Sequence, residues 1–517
     1  MIHSRLSLLD LLGALVLLIV PFSRQLLVAD PGVGWHLRFG EIIRSQSAIP
    51  PNELFLYGSR KPIILNQWLS DVLFSWLAQS GPGLDLFFLV IPFIGLCAHF
   101  ILVSKVGALV GGKSVSVFIA ALVALALGSS QWILRPVILS FLFFSLVNLF
   151  LWQYYLRALG GGDAQRRPPF LLFFAIFALW ANCHPAFVFG LLLVLLVGVA
   201  LLTEVCFVPG RTTLIRPLAY TGVLFLLCLV STFLNPYGVG LYKSIFSLVG
   251  DSYFSNLNQE WLSPSVLDHS CSMLLILVLV LLIGVAKGVG AKFSFLDTLV
   301  VLVFIAASLH TRRYIPFAAI ALSAPLVRVF DHIFKYVSET RLSRLIALEG
   351  PPLITATVFV LLFSTTLILG HLPWASRSTD LSEYYPEDVL AFLPQDSREL
   401  RILSVPDWGG YLIWRLWPRG QVYADDRNLE TGKERYEDFF SFANAKPGWD
   451  QKLKQIAPDV IILPEDLNVI ALLGQKSGWV ELGRSSGAVV FGTLPDTASI
   501  PITNENYRFL KTSRGHI

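Results

Sequence analysis

Apolar stretches long enough to cross a bilayer recur through the first 370 residues, and they constrain the fold more than any other feature. Hydrophobic residues make up 55% of the 517-residue chain and charged residues only 14%, which argues against a water-soluble protein. At roughly 20 residues per crossing, the pattern predicts about eleven spans, near 6–22, 84–104, 115–130, 137–156, 170–182, 186–204, 218–234, 271–287, 294–309, 315–327 and 352–370. Backbone groups in lipid must satisfy one another, so each span is expected to be a helix. The expected fold is therefore a mainly α, polytopic membrane bundle.

Arg5, Lys105, Lys113, Arg157, Arg166, Arg167, Arg211, Arg216, Lys287, Lys292, Arg328, Lys335, Arg341 and Arg344 fall in alternate loops. By the positive-inside rule those loops and the N-terminus are cytoplasmic, and the C-terminal tail lies outside. Arg5 precedes the first apolar run as in a signal peptide. No small-residue cleavage site follows, so that run is read as a retained helix. The composition changes near residue 371: the last 147 residues hold 16 Lys+Arg and 20 Asp+Glu, a net −4, leaving about +8 for residues 1–370. The chain is thus divided into a membrane domain (1–370) with a long first outside loop (23–83) and a soluble extracytoplasmic domain (371–517). In the tail, 401–405, 421–424 and 459–463 read as buried strands, 386–394, 409–417, 433–444, 449–456 and 466–474 as helices, and 479–493 as a hairpin, giving a three-layer α/β domain.

Several classes find no support. No basic run with interleaved aromatics suggests nucleic acid, and no phosphate loop, dinucleotide fingerprint, Cys-x-x-Cys or His-Glu-x-x-His motif is present. Cys97, Cys183, Cys206, Cys228 and Cys271 lie in or beside apolar spans and read as small buried side chains, not a disulfide framework.

The outside loops carry the chemistry. Asp30-Pro31-Gly32-Val33-Gly34-Trp35-His36-Leu37-Arg38-Phe39-Gly40 sets an acid, an imidazole and a guanidinium at the bilayer rim, where such groups are costly without a task. Both 35–43 and 66–74 have the spacing of interfacial helices. Trp180-Ala181-Asn182-Cys183-His184-Pro185 interrupts an apolar run, and Asn235-Pro236-Tyr237-Gly238 closes the seventh span. Glu260-Trp261 lies in the next outside loop. Arg312 and Arg313 are adjacent cations on the side where basic residues are depleted, suited to phosphate oxygens or to an ion pair with Glu260, Asp30 or a lipid head group. Asp425-Asp426-Arg427 ends a tail strand, where α/β folds tend to place ligands, although a local Asp–Arg turn explains it too.

Taken in order, these segments, with Asn66-Gln67-Trp68-Leu69-Ser70, Trp408-Gly409-Gly410-Tyr411-Leu412 and Val422-Tyr423-Ala424-Asp425-Asp426-Arg427, resemble the GT-C superfamily of polytopic glycosyltransferases, in particular a prokaryotic branch of it. The resemblance implies a donor carried on polyprenyl phosphate or diphosphate, a glycan, lipid or protein acceptor, inversion at the anomeric carbon, and a site on the outer face of the cell membrane. It implies Asp30 as general base, with His36, His184 and Glu260 as further catalytic candidates. Arg312, Arg313 and Arg38 would meet the donor phosphate, and Asp71, Asn182, Asp425 and Asp426 would be secondary or acceptor groups. A divalent Mg²⁺ or Mn²⁺ on Asp30 and Glu260 would be compatible. Members of the branch commonly read Asp-Pro-Asp-x-Trp-Trp-His, whereas Gly32 and Gly34 stand here in place of the second acid and first tryptophan. Either Asp30 suffices without metal, or Glu41, Glu53 or Asp71 substitutes, or activity has drifted. A transporter or flippase for lipid-linked glycans and a non-catalytic scaffold displaying the tail are the alternatives. Transporters, however, favour coupling charges at mid-membrane and related halves, and neither is evident.

Overall fold

The computed structural model describes residues 30–79, 93–95, 98–128, 131, 133–160, 167–257, 259–265, 269–286, 288–334, 384–394 and 399–493. The expected spans at 6–22 and 352–370 lie outside them. Three described helices, Val137–Leu159, Phe187–Phe207 and Arg211–Ser231, are long and apolar enough to cross a membrane. The helices Val115–Gly128, Phe170–Cys183, Ser272–Ala286 and Phe295–His310 are apolar but shorter. One expected span departs from a simple crossing: 315–327 is a pair, Arg312–Ala321 and Ser323–Phe334, bent by 63° at Leu322. Packing explains how the bend is held, since Ile315 to Val327 are buried throughout in the bundle core.

Leu171, Leu179, Leu195, Leu226, Val230, Leu279, Leu282 and Leu302 point outward from the bundle, as helix faces turned to hydrocarbon should. Cys183 and Cys228 are buried as expected, but Cys206 is exposed, and Cys97 lies outside the described residues. The Phe295–His310 helix starts with a capping box: Ser294 accepts from the Asp297 N–H while Asp297 accepts from the Ser294 N–H, and Arg328 reaches Asp297 at 3.3 Å.

The tail sheet has the order β2-β1-β3-β5-β4, with β1 Leu400–Ser404, β2 Gly420–Val422, β3 Val460–Pro464, β4 Trp479–Ser485 and β5 Ala488–Thr493. The first three strands are parallel, and the closing hairpin is antiparallel. Alternation along each strand separates two cores. Leu400, Ile402, Val460, Ile462 and Val490 face one side, and Leu403, Ile461, Leu463, Val489 and Phe491 the other. Helices Asn428–Ala443, Trp449–Ile456 and Val469–Leu473 cover the second face.

The first face is covered from a distance in sequence. Trp35, Phe39, Ile42 and Ile43 of the Val33–Gln46 helix, together with Phe55, Leu56, Ile63 and Leu65, share one apolar core with the sheet and with Tyr411, Leu412 and Ile413. Phe55 O accepts from the Val422 N–H at 2.9 Å and Val422 O from the Tyr57 N–H at 3.2 Å, so the first loop also covers the sheet edge beside β2. The long loop assigned by sequence to the membrane part is thus a structural layer of the tail domain.

Two close approaches require glycine. A Cβ on Gly34 would lie 2.1 Å from Gly410 O, and one on Gly410 would lie 2.1 Å from Pro31 O. The Val33–Gln46 helix therefore touches the Pro406–Leu416 helix backbone to backbone, which is why no tryptophan fits at position 34. Gly40 packs in the same way on Asp71 O, where a Cβ would lie at 1.9 Å, bringing the Val33–Gln46 and Trp68–Gln79 helices together.

A buried ion cluster locks the contact between loop and tail. Arg427 donates from Nη1 to Glu53 Oε2 at 2.9 Å and from Nη2 to Oε1 at 3.0 Å, and its Nε donates to Asp425 Oδ2 at 2.9 Å. Its guanidinium lies within 5.4 Å of the Phe39 and Phe55 ring centroids. Burial pushes the Glu53 carboxyl up, but the charge and hydrogen bonds of Arg427 outweigh it and leave Glu53 below its ordinary value.

Gly34→Ala should shift the thermal unfolding midpoint of the detergent-solubilised protein downward, by the equivalent of about 1–3 kcal/mol of overpacking. An unchanged midpoint would mean that the two helices do not touch. Arg427→Met strands Glu53 and Asp425 without a cation. It should cost about 3–5 kcal/mol and speed limited proteolysis of the tail, whereas Lys433→Met on the exposed face should not.

Candidate active site

Loops that the charge rule places on one side of the membrane meet at the junction of bundle and tail. Asp30 precedes the Val33–Gln46 helix, Arg135 precedes the Val137–Leu159 helix, and Glu260 and Arg313 lie in the short turns Gln259–Trp261 and Arg312–Tyr314. Asp426 arrives from the tail just beyond β2.

Arg135 joins the three carboxylates. Its Nε lies 2.7 Å from Asp30 Oδ2, its Nη1 donates to both Glu260 oxygens at 3.2 Å, and its Nη2 is 3.8 Å from Asp426 Oδ2. Arg313 extends the chain, 3.9 Å from Glu260 Oε2 and stacked over the Trp261 ring. The side chains of Arg135, Arg313 and Glu260 are 22%, 23% and 27% exposed, while that of Asp30 is 1% exposed. The accessible part of the site therefore belongs to the Arg135, Arg313 and Glu260 side chains, while Asp30 is buried.

The three acids differ in proton affinity for identifiable reasons. Burial raises Asp30, opposed by Arg135 and by the Gly32 N–H, which donates to Asp30 Oδ1 at 2.8 Å. Burial also pushes Glu260 up, but the charges of Arg135 and Arg313 prevail and hold it below its ordinary value. Asp426 is pushed up to about 7, chiefly by burial, with the charges of Asp425 and Asp30 adding to the rise and Arg135 opposing it. One ionised acid and one poised near neutrality share a cation, as in sites that move protons.

His36 and Asp71 lie under this layer as a buried pair, with His36 Nδ1 2.5 Å from Asp71 Oδ1. Burial lowers the imidazole, with the charges of Arg135 and Arg427 adding to the fall, and raises the carboxyl, so burial favours the neutral form of each partner. The His36 ring packs on Trp35 at a centroid distance of 3.6 Å, and Trp35 Nε1 donates to Asp426 Oδ1 at 2.9 Å. The dyad thus packs against Trp35, whose indole N–H is bonded to Asp426.

His184 sits in the extended break between the Phe170–Cys183 and Phe187–Phe207 helices. Its Nδ1 accepts from the Ala186 N–H at 3.2 Å and lies 2.9 Å from Ser140 Oγ, which itself accepts from Trp180 Nε1 at 2.8 Å. An accepting Nδ1 places the proton of the neutral ring on Nε2. Burial lowers His184, and the charges of Arg313 and Arg135 lower it further.

Other candidates have structural partners. Asn182 accepts from Trp68 Nε1 and donates to Ala178 O and Leu234 O, each at 2.8 Å, clipping the second interfacial helix to two spans. Tyr237 OH accepts from the Leu65 N–H at 3.0 Å. Arg38 pairs with Glu41 and donates to Trp414 O, a tie between the first loop and the tail. Arg312 opens its turn with its N–H on Leu262 O at 3.2 Å, and Asp425 belongs to the Arg427 cluster.

Gly32 has a local explanation. A Cβ there would lie 3.1 Å from Asp426 Oδ2 and 3.4 Å from Asp30 Oδ1. The carboxylate beside position 32 comes from the tail. The substitutes considered from sequence lie elsewhere: Glu41 on Arg38, Glu53 on Arg427, and Asp71 on His36. A divalent ion would need its oxygen ligands within about 2.0–2.6 Å of one point. Arg135 fills the space between Asp30 and Glu260, and among the described residues no group of three His, Cys, Asp or Glu side chains is arranged for a metal. The residues do not fit the ion. Sequence reasoning missed Arg135, although an arginine in a short outside loop beside Pro136 is the same exception to the charge rule as Arg313.

No family model matches the chain, and no curated protein matches it in sequence. Solved structures do. The oligosaccharyltransferase of Archaeoglobus fulgidus, tethered to an acceptor peptide, aligns with 88% of this chain and 69% of its own at 12% identity and a TM-score of 0.53. ArnT from Cupriavidus metallidurans, bound to undecaprenyl phosphate, aligns with 94% of this chain and 97% of its own at 12% identity and a TM-score of 0.53. These overlaps take in most of the chain, which therefore shares its fold with both proteins.

Proposed function

We propose that the protein is a membrane glycosyltransferase that moves a sugar from a polyprenyl-phosphate or -diphosphate donor to an acceptor at the membrane face carrying the tail. The observation that carries this reading is the meeting of two guanidinium groups and three carboxylates where the first loop, the turns of the bundle and the tail come together. The undecaprenyl phosphate held by ArnT and the acceptor peptide held by the archaeal enzyme support it in kind. Positive-inside topology makes that face extracytoplasmic, in a cell membrane, with the N-terminus in the cytoplasm.

In this mechanism Asp30 removes a proton from the acceptor as its nucleophilic atom attacks the anomeric carbon. The bond from that carbon to the phosphate oxygen breaks, and the sugar inverts. Positive charge gathers on the sugar and negative charge on the departing lipid phosphate, so carboxylates and arginines together are the complement required. His36 and Asp71 position Trp35 and Asp426, and His184 offers Nε2–H to a substrate oxygen. Charges set at helix ends, not at mid-bilayer, are the pattern of an interfacial enzyme more than of a transporter.

Protein in nanodiscs supplied with polyprenyl-phosphate sugars should release polyprenyl phosphate, and Asp30→Asn should slow release by roughly 10²–10⁴-fold. Equal turnover by both proteins would remove Asp30 as the base. The pH dependence follows from Asp426, which faces Arg135, Asp30, Asp425 and the Trp35 N–H. A raised carboxyl keeps its proton in the fold, so its contribution to stability falls as pH rises from the ordinary ~3.9 to about 7. Above that range Asp426 ionises and competes for Arg135. Donor KM should therefore climb above pH 7, and Asp426→Asn should flatten the climb.

A further inference from the structure

The three carboxylates around Arg135 come from segments far apart in sequence, and each meets a different nitrogen of one guanidinium. Nε faces Asp30 at 2.7 Å, Nη1 faces Glu260 at 3.2 Å and Nη2 faces Asp426 at 3.8 Å. In many phosphate-handling sites a cluster of acids from separate loops is held together by a divalent cation, which also meets the phosphate. Here the cation is covalently part of the chain.

We propose that Arg135 is the resident cation of this site, occupying the centre a divalent metal would take and, with Arg313, receiving the phosphate end of a lipid-linked donor without any metal ion. The inference rests on the glycosyltransferase reading for its ligand class, a phosphate ester on a lipid.

Three features support it. First, the Arg135 side chain retains 22% exposure although it contacts three acids, and that of Arg313 retains 23%. Both reach Glu260, which spaces them as two arms of one anion clamp. Second, the charges come close to balance without a metal. Three carboxylates against two guanidinium groups leave one negative charge when all are ionised, and zero when Asp426 keeps its proton. Adding a divalent ion among them would place it directly against Arg135, a like-charge contact within a mostly buried layer, which is disfavoured. Third, the planar fork of arginine can exchange a carboxylate for a phosphate without changing its bonding geometry. As a phosphate arrives, Arg135 turns part of its bonding from Asp30 to the ligand, and Asp30 becomes free to accept a proton when the donor is in place.

The test uses the full-length protein in nanodiscs. Undecaprenyl phosphate binding is measured by ³¹P NMR in excess EDTA, with inorganic phosphate as the competing arm, and Mn²⁺ binding is measured by electron paramagnetic resonance on the same samples. Wild type should bind the lipid phosphate in EDTA and bind no Mn²⁺. Arg135→Ala should weaken lipid phosphate binding on the order of tenfold or more, with Arg135→Lys between the two. Inorganic phosphate should compete weakly, and equal affinity for the free ion would overturn the lipid-linked assignment. Saturable Mn²⁺ binding to wild type that is needed for lipid phosphate binding, or an Arg135→Lys variant binding as tightly as wild type, would overturn the proposal. Should Arg135→Ala fail to fold, wild type and Arg135→Lys still decide. These readouts need no turnover, so Arg135-dependent binding in EDTA without sugar transfer would sink the enzymatic reading and leave this one standing.

Discussion

Burying charge at the edge of a membrane is permitted only where each charge finds a partner, and the architecture is organised around two such places. Arg427 lies between Glu53 and Asp425, and Arg135 lies among Asp30, Glu260 and Asp426. Both clusters draw partners from the first loop and the tail, and the second adds the bundle. Neither can form unless the tail is seated on the first loop, so docking of the tail sheet and assembly of the site go together. Breaking either cluster leaves an uncompensated charge, which costs more than the intact pair contributes.

Glycine contacts set the distance at which these charges meet. Gly34 against Gly410, and Gly40 against Asp71 O, allow helices to approach as closely as backbone permits. That approach brings Asp426 beside Gly32 and closes the layer formed by Trp35, His36 and Asp71. A larger residue at position 34 would lift the tail away and separate Asp426 from Arg135. The glycine at position 34 is thus coupled to the way the tail docks.

Much of the fold is legible in residue order, because hydrophobic length and alternation are local properties. The helices at 137–159, 187–207 and 215–231, the three parallel strands and the closing hairpin all fall close to where periodicity puts them. The bend at Leu322 is not legible, since Ile315 to Val327 read as one apolar run whether straight or broken. In the site, Asp30, Glu260 and Arg313 stand out as costly charges at loop ends. Arg135 is as costly but sits without a surrounding motif, and Asp426 looks like any solvated turn acid. Arg38 and Asn182 show the converse, chemically suggestive residues whose hydrogen bonds are spent on holding elements together.

By itself the sequence determined that the chain is a helical membrane protein with charged, aromatic-rich loops and an α/β tail, because transfer energies and strand periodicity depend on neighbours along the chain. Only the tertiary structure decided that Asp426 comes to stand beside Gly32, that Arg135 fills the space open to a metal, and that the first loop is a layer of the tail. Those outcomes depend on which distant charges neutralise one another when water is excluded, and no local pattern records that choice.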